Sequence, residues 1–371
     1  MDSCPTVIDL FCGAGGLSEG FRQAGFQVLL GSDIDPTFGT TFAKSHHGAL
    51  FVAKPIQALT SAEIMSATGL GKGQLDVLVG GPPCQGYSVY NHGRGEHDPR
   101  AGLFREYLRL VRELAPKWLV MENVTGLLSI SGGQLIKTIA EEFSKLGYCV
   151  QWRVLRAEDY GVPQERRRVV FIANRVGASI EFPKIEYGAG KLPYTSIWDA
   201  ISDLPLLGAS TGVDYATAPS TPFQARMRKG NPRLSNHVGP KLGKANLERI
   251  RHIPQGGSWR DIPFDLLPEG MKRAKRSDHT KRYGRPRLTD LSCTILTKCD
   301  IHWGAYIHPV ENRAFTVREA ARLQSFPDDF VFYGSMTEQF VQVGNAVPPM
   351  LAHSIASAII DSDKAIERIA A

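Results

Sequence analysis

Apolar and polar positions follow two periodicities over the first 175 residues. Short apolar runs predict strands at residues 7–11, 28–30, 75–79, 118–121, 150–155 and 169–172. Apolar residues spaced three and four apart predict helices at residues 17–24, 103–114 and 135–146. Alternation of this kind predicts an α/β fold, with a mostly parallel sheet and helices on both faces. Ligands of such folds bind at the carboxyl ends of the strands.

The pattern changes after about residue 176. Pro, Gly and Ser become frequent, and no alternation of helix and strand can be read. Helical order returns at 316–323, where Thr316 is a candidate N-cap with Glu319 three residues on, and again at 351–360. We therefore predict a first domain at 1–176, completed by 316–371. A second, smaller, irregular and β-rich domain is predicted at 177–315.

Composition narrows the class of protein. The chain has 371 residues, 43% hydrophobic and 22% charged, which excludes a disordered chain, a collagen-like repeat and a coiled-coil rod. No run approaches the roughly 20 apolar residues of a membrane span. The N-terminal residues have no basic region and no long apolar core, so we do not expect a secreted protein. The 6 cysteines form no CxxC pair, so neither a disulfide framework nor a zinc site is predicted. We expect a cytoplasmic protein with free thiols and no metal.

The net charge of +6 conceals a basic segment. Residues 222–287 contain 17 Lys and Arg against 5 Asp and Glu, so the rest of the chain is mildly acidic. Such a segment is typical of a surface that binds a polyanion, most often nucleic acid. A solvated Lys- and Arg-rich surface is the alternative.

A glycine-rich turn follows the first predicted strand in DLFCGAGGLSEGF. Gly13, Gly15 and Gly16 stand between strand and helix, where the backbone can approach a ligand and the helix offers free N–H groups. Asp33 follows the second strand, the position at which an acid binds ribose hydroxyls. The pattern indicates a nucleoside-type cofactor. A tight turn and a surface carboxylate are the alternatives.

A cysteine is held by glycine and proline in GGPPCQGYS. Cys84 comes just after a predicted strand, and its rigid neighbours favour a presented thiol over a packed one. A presented thiolate is suited to nucleophilic catalysis. A small buried hydrophobic residue is the alternative.

Two further polar motifs adjoin strands. Glu122 in MENV follows a strand and can hydrogen-bond a ring nitrogen, or it can cap a helix. In QERRRV, Arg166 and Arg168 are expected to share one face of a strand. A solvated basic edge is the alternative interpretation of the arginines.

The segment DIHWGAYIHP contains His302, Trp303 and Tyr306, which we expect mainly to pack against other residues. We expect Trp259 to contact nucleic acid or to lie in the core.

The four motifs in this order resemble the bacterial C5-cytosine DNA methyltransferases that use S-adenosylmethionine. The resemblance runs from Thr6 to about Ala358 and is also strong at RAFTVREAARLQSFPDDF and GNAVPP. It implies a Rossmann-like methyltransferase domain and a target-recognition domain in the basic middle of the chain. Implied catalytic residues are Cys84 as nucleophile, Glu122 at cytosine N3, and Arg166 and Arg168 as substrate contacts.

The resemblance also implies a set of cofactor contacts. Phe11 and the loop from Asp9 to Gly16 would touch the cofactor, Asp33 its ribose and Ile34 its adenine. Asn345 would support the cofactor and catalytic pocket where the domains join. The expected contacts are Asp9, Phe11, Gly13, Gly15, Gly16, Asp33, Ile34, Ile56, Pro82, Leu103 and Asn345. Relatives often have an acidic adenine contact where this chain has Lys54, Pro55 and Ile56, and many have Glu at the place of Asp33.

The activity implied is methyl transfer to C5 of a flipped-out cytosine in duplex DNA, through a bond between Cys84 and C6. The enzyme would act as a monomer in the cytoplasm, associated with the nucleoid. It would belong to a restriction-modification pair with a cognate endonuclease or act without one. A tRNA cytosine-5 methyltransferase on the same scaffold and a catalytically silent DNA-binding regulator are the alternatives. A nicotinamide-dependent dehydrogenase would leave Cys84 unexplained.

Overall fold

The computed structural model describes residues 4–83, 101–207, 214–229 and 233–370. The chain forms two compact units. The first comprises the described residues of 1–160, 167–185 and 347–371, and the second those of 161–166 and 186–346. The unit boundaries therefore differ from the predicted domains, because residues 316–346 belong to the second unit rather than the first. That the second unit reads the target stays a prediction.

The first unit contains a seven-stranded sheet in its described residues. Its strands are β1 (Thr6–Leu10), β2 (Gln27–Asp33), β3 (Leu50–Ala53), β4 (Val77–Gly80), β5 (Trp118–Val124), β6 (Cys149–Arg156) and β7 (Arg167–Asn174). They are ordered β3-β2-β1-β4-β5-β7-β6. Neighbours from β3 to β5 pair in parallel, while β7 pairs antiparallel with β5 and β6. The mostly parallel sheet is confirmed, with β7 reversed.

Helices accompany the strands along the chain. They are α1 (Gly16–Gln23), α2 (Thr37–Ser45), α3 (Ser61–Thr68), α4 (Ala101–Leu114) and α5 (Gln134–Lys145), with α12 (Pro349–Ala370) returning from the C-terminal end. The helix α12 packs closely on α1, since a Cβ on Gly20 would lie 2.3 Å from the Cβ of Ala352. Sequence periodicity did not reveal α2, β3 or α3, which are short and carry few regularly spaced apolar residues.

The core of the first unit is apolar on both sheet faces. Leu10 and Leu78 from neighbouring strands pack with Tyr107 of α4 on one face. Val79 and Val120, which point to the other face, are also buried. Strands buried on both faces read as continuous apolar runs, which is why the central strands could be predicted from sequence. The sheet thereby brings the carboxyl ends of β1, β2, β4 and β5 to one edge.

The second unit has little regular structure in its described residues. Its helices are α6 (Ile197–Ile201), α7 (Pro222–Arg228), α8 (Lys244–Arg251), α9 (Glu269–Lys272), α10 (Val317–Leu323) and α11 (Met336–Asn345). In that part of the chain only isolated β-bridges occur, such as Ile307 with Ala314. The expectation of a β-rich domain is therefore wrong for these residues. The predicted cap of α10 is confirmed, because Thr316 and Glu319 form a capping box.

Buried arginines in the second unit satisfy backbone carbonyls that are not paired in a β-sheet. Arg285 donates hydrogen bonds to the carbonyls of Ile250, Ile253, His308 and Glu311 and to the side chain of Asn312. Arg322 forms buried ion pairs with Asp203 and Asp328. A guanidinium has five donors, so one side chain can satisfy the carbonyls of several irregular segments. Part of the cationic charge in residues 222–287 therefore stabilises the fold.

In the described part of the chain, one stretch could cross a bilayer if judged by length and composition alone. It comprises residues 336–365, which include α11 and most of α12. Of its apolar window 67% is buried inside the protein, which is typical of a core helix.

Candidate active site and cofactor site

The turn between β1 and α1 is built from left-handed backbone. Phe11, Gly13 and Gly15 have φ values of 60°, 53° and 95°. Left-handed backbone is costly for a bulky residue such as Phe11, and such strain is concentrated at functional sites. No described heavy atom lies within 4 Å of a Cβ built on Gly13, whereas a Cβ on Gly15 would lie 2.5 Å from Cε1 of His46. The turn is therefore open at Gly13 and closed at Gly15.

Asp33 ties the end of β2 to this turn. Its Oδ2 accepts a hydrogen bond from the Gly13 amide at 2.9 Å, and its Oδ1 accepts one from the Asp35 amide at 3.1 Å. Burial raises the pKa of Asp33, although these backbone hydrogen bonds oppose the shift. Each carboxylate oxygen can accept a further bond from a hydroxyl. The next residue, Ile34, is 68% exposed and offers an apolar surface beside the carboxylate.

Asp9 is fully buried and connects β1 to α1. Its Oδ2 accepts hydrogen bonds from the Ser18 amide and hydroxyl at 3.2 and 2.7 Å. Its Oδ1 has no partner among the described residues. Burial raises the pKa of Asp9 to about 7. Asp9 thus fixes the start of α1, where Gly16 is the first residue.

Three other expected cofactor contacts lie in or against the core. Ile56 is buried with Leu59, and Leu103 is partly buried against the same cluster. Pro82 is buried at the end of β4. The roles of Ile56, Pro82 and Leu103 as cofactor contacts stay predictions.

Glu122 and Arg168 form an ion pair at the edge of the sheet. The Nε of Arg168 lies 2.5 Å from Oε1 of Glu122. In the antiparallel β5–β7 pair, Arg168 is opposite Val124 and Glu122 is opposite Val170, so the two charged residues are diagonal neighbours on one face. The second oxygen, Oε2, would lie 3.3 Å from a Cβ on Gly81. Glu122 therefore faces the segment that leads towards Cys84.

Asn123 also holds the segment that leads towards Cys84, and the sequence analysis did not predict this role. Its Nδ2 donates a hydrogen bond to the carbonyl of Pro82 at 2.9 Å. The signal was its place within the MENV motif. Cys84 itself lies outside the described residues.

Arg166 does not share a strand face with Arg168, so that prediction is wrong. The strand β7 begins at Arg167, and Arg166 belongs to the second unit. Its buried guanidinium donates hydrogen bonds to the carbonyls of Ile295, Gly344 and Ala346 at 3.3, 3.2 and 2.8 Å. Asn345, an exposed residue at the end of α11, lies between two of these carbonyls in sequence. Direct roles of Arg166 and Asn345 in the reaction stay predictions.

The aromatic residues of the second unit differ from one another in exposure. Trp259 and Tyr306 are buried, whereas Trp303 is 53% exposed. The expectation that Trp303 mainly packs is therefore wrong. Across the part of the chain that the structure describes, no group of three or more His, Cys, Asp or Glu side chains is arranged to hold a metal.

Comparison with known proteins gives a consistent result. The family described as C-5 cytosine-specific DNA methylase matches residues 5–361. Type II methyltransferase M1.HphI of Haemophilus parahaemolyticus is 37% identical over 96% of this chain and 86% of its own length. Type II methyltransferase M.DdeI of Desulfomicrobium norvegicum is 36% identical over 95% of this chain and 88% of its own.

A solved structure agrees with the sequence comparison. A DNA modification methyltransferase encoded within an E. coli prophage has a TM-score of 0.77 and 25% identity, covering 97% of this chain and 99% of that one. The match covers nearly the whole of both chains, and the family match includes every motif described above. The chain belongs to the C-5 cytosine-specific DNA methylase family.

Proposed function

We propose that this DNA cytosine methyltransferase transfers a methyl group from S-adenosylmethionine to C5 of a cytosine in duplex DNA, through a covalent bond between Cys84 and C6. The proposal rests mainly on the ion pair between Glu122 and Arg168, which lies next to the segment that leads to Cys84. The similarity to proteins named type II methyltransferases supports a place in restriction-modification, with or without a cognate endonuclease. We further propose that the enzyme acts as a monomer in the cytoplasm, on nucleoid DNA.

The residues of the β1–α1 turn fit a nucleoside-type methyl donor. Open space at Gly13 admits a ligand close to the backbone, and Ile34 exposes an apolar surface for a flat base. The remaining acceptor capacity of Asp33 suits the two hydroxyls of a ribose. Bound S-adenosylmethionine supplies a methyl group activated by its sulfonium charge.

Cytosine C5 is a weak nucleophile until C6 has been attacked. Addition of the Cys84 thiolate to C6 places electron density on C5, which can then accept the methyl group. Glu122 would deliver a proton to N3, or hold N3 protonated in a hydrogen bond, as the thiolate adds, so that the ring does not become an anion. Loss of the C5 proton to a base, through water, then lets Cys84 leave and restores the aromatic ring.

Arg168 would orient Glu122 and contact the substrate. Its guanidinium is held by Glu122 and by the Arg167 carbonyl at 2.8 Å, which leaves further donors for the cytosine or its phosphate. Because C6 is shielded in stacked DNA, the target base must leave the duplex before Cys84 can reach it. Exposed cations of residues 222–287 would bind the backbone phosphates.

The experiment is transfer of labelled methyl groups to duplex DNA and to bulk tRNA in parallel, with Cys84→Ser as the control. Label in DNA as 5-methylcytosine, lost in the variant, is the expected result. Label in tRNA alone would favour a tRNA methyltransferase. No label in either, with S-adenosylmethionine still bound, would favour a silent regulator.

A trapping experiment tests the covalent step separately. Fluorine at C5 cannot leave as a cation, so a cytosine carrying it should stop the reaction with Cys84 still bonded to C6. The wild-type enzyme should form a complex with such DNA that survives denaturation, and Cys84→Ser should not. Methylation of ordinary DNA without any trapped complex would contradict the covalent route.

A further inference from the structure

An arginine is stacked on an exposed tryptophan in the second unit. The guanidinium carbon of Arg282 lies 5.0 Å from the centre of the Trp303 ring. Trp303 is 53% exposed, whereas Trp259 in the same unit is buried. An exposed indole contributes little to folding, and a guanidinium stacked on its face is restrained by cation–π attraction. The pair is thus displayed at the surface in a fixed arrangement.

The two loops that carry this pair are rigidly joined. The amide of Tyr283 donates a hydrogen bond to the Ile301 carbonyl at 2.6 Å, and the amide of Trp259 donates one to the Arg282 carbonyl at 3.0 Å. A Cβ on Gly284 would lie 2.6 Å from the Cβ of Ala305, so the loops touch backbone to backbone. Arg282 is therefore anchored through its own carbonyl and through the residue that follows it.

Cations and hydroxyls surround the pair. Ser277, His279, Thr280 and Lys281 line an open depression of about 420 Å³ together with Arg282 and Trp303. Lys281 is paired with Glu165 at 3.1 Å, but both side chains are more than half exposed, so the pair is weak in water. Asp278 is the single acidic residue between Lys272 and Arg282, a stretch with six Lys and Arg. The depression is thus suited to a polyanion.

We propose that Arg282, held on Trp303, reads a guanine in the recognition sequence, while His279 and Lys281 contact the flanking phosphates. This inference rests on the proposed function, because it requires duplex DNA as the substrate. The planar fork of an arginine matches O6 and N7 of guanine in the major groove. A phosphate contact needs only a point charge, whereas a base contact also needs a defined orientation of the guanidinium. The stack on Trp303 fixes the plane of the guanidinium before DNA binds, which reduces the entropy cost of such a directional contact.

The test is sequencing of all methylated sites in unmethylated DNA treated with the wild-type enzyme and with variants. Arg282→Ala and Arg282→Lys should both relax the sequence at one G·C pair, with discrimination against the wrong base reduced about 10- to 100-fold. Trp303→Leu should relax the same position to a smaller degree. Arg112→Ala, at an exposed arginine in the last turn of α4, is the matched control and should keep the wild-type sequence.

Three outcomes would overturn the proposal. Loss of methylation at an unchanged sequence in Arg282→Ala, with a salt dependence shallower by about one ion, together with nearly wild-type behaviour of Arg282→Lys, would make Arg282 a phosphate contact. An unchanged sequence at unchanged rate would remove Arg282 from the interface. Absence of DNA methylation by the wild-type enzyme would overturn the proposed function as well. The other two outcomes concern only the Arg282 variants, so failure of this inference can be distinguished from failure of the proposed function. Thermal unfolding measurements establish whether each variant is folded. If Arg282→Ala is unstable, Arg282→Lys, which keeps the charge, serves as the test.

Discussion

The Nε atom of Arg168 lies 2.5 Å from Oε1 of Glu122, across the antiparallel pair of strands β5 and β7. The reversed direction of β7 makes this contact possible, because it brings the beginning of β7 to the carboxyl end of β5. A parallel β7 would have placed its first residues at the opposite edge of the sheet. The antiparallel strand β7 thus supplies a cation to the edge at which the parallel strand β5 supplies the carboxylate and β4 leads into the segment that carries the thiol.

Removing the arginine of this pair should slow the reaction more than it weakens binding. We expect Arg168→Ala to lower kcat about 100- to 1000-fold, because Glu122 loses its orientation and the substrate loses a charged donor. Arg168→Lys should be intermediate, since an ammonium lacks the fork. Single-turnover methyl transfer to DNA is the measurement. Arg167→Ala removes the exposed neighbouring arginine and should leave the rate nearly unchanged. Equal rates for the Arg167 and Arg168 variants would contradict the role of Arg168.

The glycines Gly13 and Gly15, both left-handed in the turn between β1 and α1, should respond differently to alanine. Gly13→Ala should cost about 1–2 kcal/mol for the left-handed backbone and leave the protein folded, with weaker binding of S-adenosylmethionine. Gly15→Ala should unfold the protein at much lower temperature, because its Cβ would clash with His46 and Phe42. Thermal unfolding and calorimetric titration of the cofactor separate the effects. Unchanged cofactor affinity in a folded Gly13→Ala protein would exclude a ligand close to Gly13.

Arg166 is expected to position backbone in the second unit. Arg166→Lys should lower the free energy of unfolding by about 3 kcal/mol, because at least one buried carbonyl loses its donor. Gly344→Ala should be similarly destabilising, since its Cβ would lie 2.4 Å from the backbone of Leu296 and Thr297. Gly243→Ala is the matched control, with ordinary φ and no described atom near its Cβ. If Arg166→Lys kept full stability and lost only kcat, Arg166 would be a substrate contact instead.

Stability should depend on pH through Asp9. Because burial raises the pKa of Asp9 to about 7 in the folded protein, the folded state binds this proton more tightly than the unfolded state. Its contribution is fully present below the unfolded pKa of 3.8 and is lost as pH rises through about 7. Asp9→Asn should therefore gain stability relative to wild type between pH 4 and 7, by about 4 kcal/mol at most. Urea unfolding at pH 5, 6 and 8 measures the difference, and a pH-independent difference would refute the argument.

The basic segment should contribute to the salt dependence of DNA binding. Arg273 and Lys275 are exposed, and replacing both with alanine should make the slope of log K against log salt shallower by about 2. The double variant Arg112→Ala, Lys145→Ala removes two cations from the first unit and should leave the slope unchanged. Equal slopes for wild type and the Arg273/Lys275 variant would remove these residues from the interface.

Local sequence was sufficient for the central sheet and for the motifs at its edge. Strands such as β4 and β5 are buried on both faces, so their apolar runs are visible without knowledge of their neighbours. The cap at Thr316 depends on Glu319 three positions on, and the turn at Gly13 carries its own glycines, which is why both could be anticipated. Short elements such as β3 escaped notice because their stability comes from neighbours distant in sequence.

The sequence by itself determined the fold class and the order of the motifs, and the family follows from that order. Tertiary structure alone decided what the charged and aromatic side chains contact. Arg166 and Arg168 stand two residues apart, yet one satisfies carbonyls around Ile295 and Gly344 while the other pairs with Glu122. Trp259 and Trp303 are equally apolar, yet only one is buried. The partner of a side chain is set by segments that are distant in the chain, and no local periodicity records them.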